Sequence, residues 1–487
     1  MAREADAALQ AKILQVGFVV FLGLAALYSV RSLMFGSRSV AGLVGAFCVI
    51  LTAVLVLDKE YWILFPLISA SGLSIPTLPF VSTELGCLVL VAVFFVRAVL
   101  RRDTLHFHST HYLLWGAPYF LWCAIVFCMN PVGLHMFGSS MIGGRHYFRL
   151  AVGLATWFCL AQIELSEKGL KMLFFGLIVC SFIQVFLGYF GFIVETEVGV
   201  EAHTRYYLTA FGTLLSLLLC RFDLSKIVLS PGLFLSCLAC ACLVLVSGKR
   251  TTVGTLLLTP FVLMFLRRRE YGFTIGCGIV AAIALGILAS GQGRLYELPY
   301  SAQRGLSFLP GKWDRTLERY GFNDDFREEL HRRAKNIIHE HPWVGRKGYA
   351  MDPREISWVI LNTQARDTMF AGHELASNWH NKFYGMWADF GAVAPFSWYG
   401  FMIAVWLWTY RKRNEHLDNS YASTFYRYWA CLIFFDLILA YGHSSLTPFG
   451  FWPRFGLLIA LENTQMHRRF EPSSQGSAVS GLLTGMT

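Results

Sequence analysis

The sequence contains few charged residues. Of its 487 residues, 15% are Asp, Glu, Lys or Arg, against about 25% in an average soluble domain. Hydrophobic residues make up 55% of the chain and aromatic residues 15%, and the mean hydropathy is +0.50. These figures exclude a disordered chain, a collagen-like repeat and a disulfide-stapled secreted scaffold. Because a soluble protein cannot bury so much apolar surface, the composition predicts a membrane protein with many spans.

Two further absences limit the chemistry. Cysteine is missing from the long polar stretch 291–380, since all 12 cysteines lie in apolar runs. Cys237 and Cys240 have a C-x-x-C spacing, but they lie inside the apolar sequence LSCLACACLVLV, where cysteine packs as a small hydrophobic residue. The chain also has no Asp-x-Asp pair, which argues against a metal-bridged nucleotide-sugar site.

Apolar segments of spanning length recur almost from end to end. The pattern predicts 12–14 transmembrane helices, near residues 13–30, 40–57, 61–80, 84–100, 112–129, 148–164, 171–192, 206–220, 227–246, 251–266, 273–290, 382–409, 429–442 and 447–463. The 61–80 segment contains three prolines and is expected to be broken or re-entrant, and the last two segments are weak. The first segment lacks a small-residue cleavage site, so we interpret it as an anchor.

Basic residues indicate the orientation. They cluster beside five span ends, at Arg101-Arg102, Lys168 with Lys171, Arg221 with Lys226, Arg267-Arg268-Arg269 and Arg411-Lys412-Arg413. When the spans alternate, all five clusters lie on one face, which the positive-inside rule makes cytoplasmic. Both termini are then cytoplasmic and residues 291–380 are periplasmic. The formal net charge of +10 is therefore a topology signal and does not indicate nucleic-acid binding.

We divide the chain into an N-terminal transmembrane bundle (1–290), a periplasmic loop domain (291–380), C-terminal transmembrane helices (381–463) and a cytoplasmic tail (464–487) that we expect to be disordered. The loop is rich in charge, with 25 charged residues in 90. Its segment DDFREELHRRAKNIIHEHPW has apolar residues at helical spacing, namely Phe326, Leu330, Ala334, Ile337 and Ile338. This spacing predicts an amphipathic helix that lies over the outer end of the transmembrane bundle. Pro342 ends this helix.

Ionisable residues at the expected outer ends of spans are functional candidates, because charge is costly in a membrane. Arg205 lies where an outer loop enters a span, Arg250 lies beside Lys249 in the short turn SGKRTTVG, and His380 ends the loop. A single basic residue at the end of a span commonly has no functional role and only extends its charged group to the lipid headgroups. Two cations and a histidine on one mouth, however, suit a phosphate-bearing substrate and a hydroxyl acceptor. Guanidinium groups bind phosphate in a fork, and a neutral imidazole accepts a proton near pH 7.

Three motifs carry a family resemblance. The segment from His380 and Asn381 to Gly391 and Ala394 reads H-N-x9-G-x-x-A, which resembles the O-antigen ligase signature of His, a small polar residue, nine residues and Gly-x-x-Gly. The turn SGKRTTVG resembles the Ser-x-x-Arg turn of that family, and IIHEHPWVGRKGY resembles its Glu-x-Pro-x-x-Gly-x-Gly segment. The motif order also fits over roughly residues 200–463. Ala394 departs from the signature, which has Gly at that place.

The resemblance implies an all-α polytopic membrane protein with a GT-C-like bundle and one large periplasmic loop, in the bacterial inner membrane. Family members are inverting glycosyltransferases that move a glycan from undecaprenyl diphosphate to a lipid A core sugar, a repeat unit or a protein, in lipopolysaccharide or exopolysaccharide assembly. The resemblance assigns the diphosphate to Arg205 and Arg250 and the role of base to His380. The expected partners are the lipid-linked donor, the glycan or lipid A core acceptor and the bilayer, without nucleic acid.

The remaining candidates and alternatives stay open. Further candidate substrate-binding residues are Lys249, Arg304, Arg346, Asn381, Glu195 and Glu197. The two glutamates are either solvated loop acids or groups that orient an acceptor or bind a metal, although Arg cations alone can stabilise a leaving diphosphate, so no metal or cofactor is expected. Asp389 and Asp436 lie in apolar runs and are expected to form buried structural pairs.

Three functional classes compete with the ligase. A polymerase of the same family uses the same donor and site and differs only in its acceptor, so the sequence does not separate the two. A transporter or flippase would place its ionisable residues near the middle of the bilayer and often has inverted repeats, whereas this sequence shows no internal repeat. A purely structural membrane scaffold leaves the grouping of two arginines and a histidine unexplained.

Overall fold

The computed structural model describes residues 82–101, 110–130, 144–189, 206–314, 324–349, 379–412, 420–439, 452 and 454–463. Across these ranges the chain is helical and has no strand, apart from an isolated bridge between Gln292 and Tyr296. Three of the described helices contain segments that are long and apolar enough to cross a membrane, namely Glu167–Phe186, Tyr271–Gly291 and Tyr421–Leu439. The expectation of a helical chain is therefore confirmed for these ranges, and the three apolar segments are compatible with a helical membrane protein, while the number of spans stays a prediction.

The described helices are numbered here in chain order. They are α1 (Ser82–Arg101), α2 (Thr110–Met129), α3 (Gly144–Ala161), α4 (Glu167–Tyr189), α5 (Ala210–Arg221, after the 3-10 turn Tyr206–Thr209), α6 (Leu224–Leu229), α7 (Pro231–Val246), α8 (Arg250–Arg267), α9 (Tyr271–Gly291), α10 (Tyr300–Leu306), α11 (Asp324–Glu340), α12 (Lys382–Phe390), α13 (Val393–Lys412) and α14 (Tyr421–Leu439). Residues 454–463 are also helical. The predicted spans before residue 84 and the tail 464–487 lie outside the described residues.

Three predicted spans have the wrong boundaries. The segment 382–409 is two helices, because Gly391 leaves α12 with a φ of +79° that ends it. The segment 227–246 is also divided, since Ser230 is extended and Pro231 begins α7, the position where a missing N–H costs least. In place of 429–442, α14 begins at Tyr421, because polar residues in its first turns are buried against other helices.

A cluster of aromatic side chains joins α2, α13 and the helix at 454–463. Trp398 and Trp452 are almost fully buried. The Trp452 ring stacks on Phe401 with centroids 5.3 Å apart, and Tyr119 lies 5.1 Å from the ring of Trp398. Each such pair contributes about 1 kcal/mol beyond its buried area. The cluster fixes α13, and therefore the short helix α12 that directly precedes it.

Charged residues at the C-terminal end of α8 and α13 are matched within the chain. Arg267 donates to the carbonyls of Leu219 and Cys220 at 2.6 and 3.0 Å. Asp223 pairs with Arg269 at 2.7 Å and lies 3.5 Å from Arg267. We call this region the capped end and define it by Asp223, Arg267, Arg269, Lys412 and Glu462. Lys412 and Glu462 form a further pair at 2.8 Å.

Two loop helices pack onto the bundle. Helix α10 lies against the turn before α8, where a Cβ on Gly248 would lie 3.1 Å from the carbonyl oxygen of Ser301. The amphipathic helix predicted in the loop is present as α11, which ends two residues before Pro342. Its residues Leu330 and Ala334 are fully buried. Ala334 packs beside Trp379 and Ala388, so α11 packs on α12.

Candidate functional site

The motif around His380 folds as one capped helix. His380 has a φ of +52°, in the left-handed region that non-glycine residues rarely adopt. Asn381 is buried, and its side-chain oxygen caps α12 by accepting a hydrogen bond from the backbone N–H of Tyr384 at 3.0 Å. Helix α12 has nine residues and ends at Gly391. The nine-residue spacing of the motif is therefore the length of this helix, and Asn381 positions it.

The C-terminal end of α12 is closed by four hydrogen bonds. A helix leaves its last carbonyls without partners inside the helix, so each needs a donor from elsewhere. The carbonyls of Trp387, Ala388, Asp389 and Phe390 accept from the N–H of Gly391 (2.7 Å), the N–H of Arg346 (2.8 Å), the N–H of Gly348 (2.6 Å) and the indole N–H of Trp122 (2.7 Å), respectively. Two of these donors belong to the loop segment HPWVGRKGY, which thereby packs on the motif that contains His380.

Glycine is required where the loop segment HPWVGRKGY packs against helix α12 of the His380 motif. Gly345 and Gly348 have φ values of +56° and +103°. A Cβ on Gly345 would collide with the carbonyl of Ala388, and one on Gly348 would collide with the hydroxyl of Tyr147. The glycines of the loop segment thus allow its backbone to approach α12 closely.

Arg346, a candidate for substrate binding, forms a buried ion pair. Its Nε lies 2.7 Å from Oδ1 of Asp389, and the two side chains are 11% and 3% exposed. The indole of Trp379 donates to the same oxygen at 3.2 Å. Asp389, expected to form a buried structural pair, forms it with Arg346. The pair holds the loop segment on α12.

Asp436 is a second carboxylate in an apolar run. Its negative charge attracts the ammonium of Lys382 at the start of α12. The ammonium of Lys382 also lies 4.6 Å from the centroid of the Trp398 ring. This contact joins the first residue after the Asn381 cap to the aromatic cluster.

Arg250 lies at the start of α8, just ahead of the apolar segment 251–266. Its side chain is half-buried, and its Nε donates to the carbonyl of Arg304 on α10 at 3.1 Å. Burial, followed by the charges of Arg304 and Arg327, lowers the pKa of the Arg250 guanidinium. We call Arg250, Arg304 and Arg327 the arginine cluster. Lys249 is exposed beside it.

Two residues of this site were missed at the sequence level, Arg327 and His331 on α11. The His331 ring lies 5.8 Å from the ring of Tyr384, and the ammonium of Lys335 lies 5.5 Å from the same ring. Tyr384 is one turn beyond His380. Because Arg327 and Lys335 are eight residues apart, their positions on the helix differ by about 12 Å along its axis. Helix α11 therefore links the arginine cluster to the His380 motif.

The signal for these residues was present in the sequence. Arg327 and His331 continue the stripe of Ala334 and Ile338 at positions i, i+4, i+7 and i+11, which face the same side of a helix. Burial, and then the charges of Lys335 and Arg327, lowers the pKa of the His331 imidazole. Of these two residues, His331 is partly buried and Arg327 is exposed at the N-terminal end of the stripe.

Arg205, Glu195 and Glu197 lie outside the described residues. Among the residues that are described, no group of three or more His, Cys, Asp and Glu side chains is arranged to hold a metal ion. The described cysteines are free thiols. Of the candidates from the sequence, the structure brings together Arg250 and Arg304, and it places Asn381 and Arg346 in supporting roles.

Known proteins add no assignment to this site. No family model matches the chain, and no curated protein is significantly similar to it. The geometry must therefore carry the argument. Arg250, whose guanidinium experiences the charges of Arg304 and Arg327, lies in a region of positive potential that favours an anion.

Proposed function

We propose that this chain is a membrane glycosyltransferase similar to O-antigen ligases. It moves a glycan from undecaprenyl diphosphate to an acceptor hydroxyl at the periplasmic face of the bacterial inner membrane. The proposal includes a GT-C-like bundle of 12–14 spans, cytoplasmic termini and a periplasmic loop at 291–380. The apolar helices and the packing of α11 between the arginine cluster and α12 support it.

The arginine cluster carries this proposal. Arg250 is oriented by its hydrogen bond to the carbonyl of Arg304, and the charges of Arg304 and Arg327 add positive potential there, which attracts an anion. A diphosphate has enough oxygens to accept bidentate hydrogen bonds from more than one guanidinium group. As the bond between sugar and diphosphate breaks, negative charge grows on the leaving oxygen. Fixed guanidinium groups stabilise that charge without reorganising.

His380 supplies the second half of the reaction. The acceptor oxygen attacks the anomeric carbon from the side opposite the diphosphate, so one C–O bond forms as the other breaks and the configuration inverts. The proton of the acceptor hydroxyl passes to the imidazole of His380 and then to water, and the bonding electrons leave with undecaprenyl diphosphate. The Asn381 cap and the closed end of α12 hold this imidazole in place.

The deciding experiment is a transfer assay with purified full-length protein, undecaprenyl-diphosphate-linked glycan and EDTA, with and without lipid A core. A single shift of the core supports the ligase, whereas a ladder of longer lipid-linked glycans without core supports the polymerase. His380→Ala should abolish either product while the protein remains folded. Absence of transfer to any acceptor by folded wild type would overturn the proposal and favour the transporter.

A further inference from the structure

We propose that the C-terminal end of α8 binds an anionic phospholipid through the exposed side chain of Arg268 and the exposed rings of Phe265 and Tyr271. We call these three residues the lipid surface. Its ligand has a phosphodiester without a cationic group, as in phosphatidylglycerol, and acyl chains beside that phosphate. Such binding does not depend on glycan transfer. It requires only that α9, which begins at Tyr271 and is long and apolar enough to cross a membrane, starts at a membrane surface.

Three consecutive arginines connect α8 to α9, and the structure gives them different surroundings. The side chain of Arg267 is 4% exposed and donates to two backbone carbonyls of α5 at 2.6 and 3.0 Å. Arg269 donates to both carboxylate oxygens of Asp223, at 2.7 and 2.9 Å. Arg268 lies between these two residues and is exposed. Two of the three arginines therefore stabilise helix packing, while the third presents its charge to the surroundings.

Two carboxylates lie at this connection, and each accepts hydrogen bonds from other groups. Asp223 accepts those of Arg269. Glu270 accepts hydrogen bonds from the first two backbone N–H groups of α6, at 3.0 and 3.2 Å. Both acids therefore hold the start of α6 against the connection between α8 and α9.

The region around Arg268 is basic. Residues 221–229 and 267–270, which these contacts join, contain five basic and two acidic residues. The resulting excess of positive charge attracts an anion and repels the ammonium group of a zwitterionic headgroup. A planar guanidinium group also binds two phosphate oxygens at once. The lipid surface should therefore select a lipid with a net negative charge.

Apolar surface adjoins this charge. Phe265 and Tyr271 are 61% and 43% exposed, and their rings meet edge to face with centroids 6.4 Å apart. Arg268 is three residues from each of them in the chain, in the turn that brings the two rings together. Beyond Tyr271, α9 also exposes Ile275 and Ile279. Aromatic rings are favoured where headgroups meet hydrocarbon, so acyl chains can lie against α9 while the phosphate contacts Arg268.

The test is native mass spectrometry of the purified full chain in detergent, titrated with dioleoyl phosphatidylglycerol or with dioleoyl phosphatidylcholine, which has the same acyl chains. The wild type should bind the first phosphatidylglycerol more tightly than phosphatidylcholine. Arg268→Gln should weaken phosphatidylglycerol binding about fivefold, the effect of one basic residue at an anionic membrane surface, and leave phosphatidylcholine binding unchanged. Equal affinity of wild type and Arg268→Gln for phosphatidylglycerol would overturn the proposal.

Two further variants separate the lipid surface from the net charge. Arg332→Gln removes the charge of an arginine on α11 that is 68% exposed, and it should bind phosphatidylglycerol as the wild type does. An equal loss in Arg332→Gln and Arg268→Gln would show that net charge alone matters and would overturn the proposal. Phe265→Ala should weaken the binding of both lipids, because it removes a contact with acyl chains that the two lipids share. Unchanged binding in Phe265→Ala would remove the rings from the lipid surface.

Glycerol 1-phosphate distinguishes a lipid from a free phosphate ester, because it has a charged phosphate but no acyl chains. Phosphatidylglycerol should slow amide exchange in residues 265–275 of the wild type, whereas glycerol 1-phosphate should not. If glycerol 1-phosphate protects these residues as strongly as phosphatidylglycerol does, the site binds a free phosphate ester and the lipid proposal is wrong.

Thermal unfolding in detergent without lipid separates binding from packing. Arg268→Gln should unfold at the temperature of the wild type, because its side chain is exposed. Arg269→Gln should unfold at a lower temperature, because it loses both hydrogen bonds to Asp223. A loss of stability in Arg268→Gln as large as that in Arg269→Gln would show that both arginines serve packing and would contradict the assignment of Arg268 to the lipid.

Discussion

Helix α8 has an arginine at each end, and the groups that surround the two arginines differ. At the capped end, Arg267 donates to two backbone carbonyls and lies beside Asp223, which also pairs with Arg269. At the other end, Arg250 donates to the carbonyl of Arg304, and the charges of Arg304 and Arg327 act on it. With 18 residues, the helix separates these two ends by about 27 Å, close to the thickness of a hydrocarbon core.

This difference in surroundings indicates a different role for each end of α8. An end that anchors helices at a membrane surface is most stable when its charges are matched inside the chain. An end that admits an anionic group can keep cations near one another, because the attraction of each cation to the bound anion offsets the repulsion among them. One helix therefore shows both uses of arginine, and substitutions at its two ends should have different consequences.

The largest expected effect comes from exchanging the two arginines of α8 for glutamine. Arg250→Gln should lower glycan transfer by about 100- to 1,000-fold, because the leaving diphosphate loses a fixed donor. Its thermal stability should fall less than that of Arg267→Gln, since the lost hydrogen bond to the carbonyl of Arg304 is offset in part by relief of the repulsion from neighbouring arginines. Arg267→Gln should lower stability by about 1–3 kcal/mol and leave transfer per folded molecule nearly unchanged. Transfer assays and thermal unfolding in detergent measure both.

A lysine at position 250 sharpens this test. An ammonium group keeps the charge but cannot form the two-pronged hydrogen bond of a guanidinium, so Arg250→Lys should recover little transfer. Full recovery would mean that only the charge matters. A loss of transfer in Arg267→Gln equal to that in Arg250→Gln would contradict the comparison of the two ends.

The next largest effect concerns the carboxylates. Asp389→Asn leaves the Arg346 guanidinium buried without its counter-charge, which should cost about 3 kcal/mol of stability. Asp223→Asn should cost only about 1 kcal/mol, because Asp223 is 31% exposed and water screens the charges that it leaves. Thermal unfolding of both variants gives the ranking. In the double variant Asp389→Asn with Arg346→Gln, part of the stability should return, whereas strictly additive losses would show that the two residues do not act as a pair.

Much of the fold could be predicted because apolar runs and helical periodicity are local properties. Between 82 and 291 the helices follow the predicted segments closely apart from the division at Ser230, and α11 follows its stripe and Pro342. The break at Gly391 was missed because the apolar run continues through it, and hydropathy does not register a backbone angle. The start of α14 at Tyr421 was missed because Arg427 and its polar neighbours are buried only through contacts with other helices.

The site was predictable in part for the same reason. The spacing from His380 to Gly391 is a local property, and it fixes one helix. The role of Arg346 depends on Asp389, 43 residues later in the chain, and the positive charge near Arg250 comes in part from Arg327, much later in the chain. Only the folded chain shows which charges meet.

A smaller effect is expected at the glycine that ends α12. Gly391 has a φ of +79°, and a Cβ there would collide with the carbonyl of Trp343. Gly391→Ala should therefore cost about 2 kcal/mol and also lower transfer, since it moves the loop segment that closes the His380 helix. Gly400→Ala is the control, because Gly400 lies within α13 with nothing within 4 Å of its Cβ position. It should be neutral or slightly stabilising. Equal effects in the two variants would remove the backbone argument.

The smallest effect is a pH dependence that belongs to the Arg250 end alone. Because the pKa of His331 is lowered in the folded chain from its usual 6.5, the unfolded or undocked state binds a proton more readily. The stability that His331 gives to the packing of α11 on Tyr384 is therefore present above pH 6.5 and is lost as the pH falls through that value toward the lowered pKa.

Amide exchange in α11, corrected for its intrinsic pH dependence, should be faster at pH 5.5 than at pH 7.5. His331→Gln should abolish this difference, and His339→Gln, which changes an exposed histidine of the same helix, should retain it. A difference that persists in His331→Gln would assign the pH dependence to another group and leave the capped end and the arginine end alike in this respect.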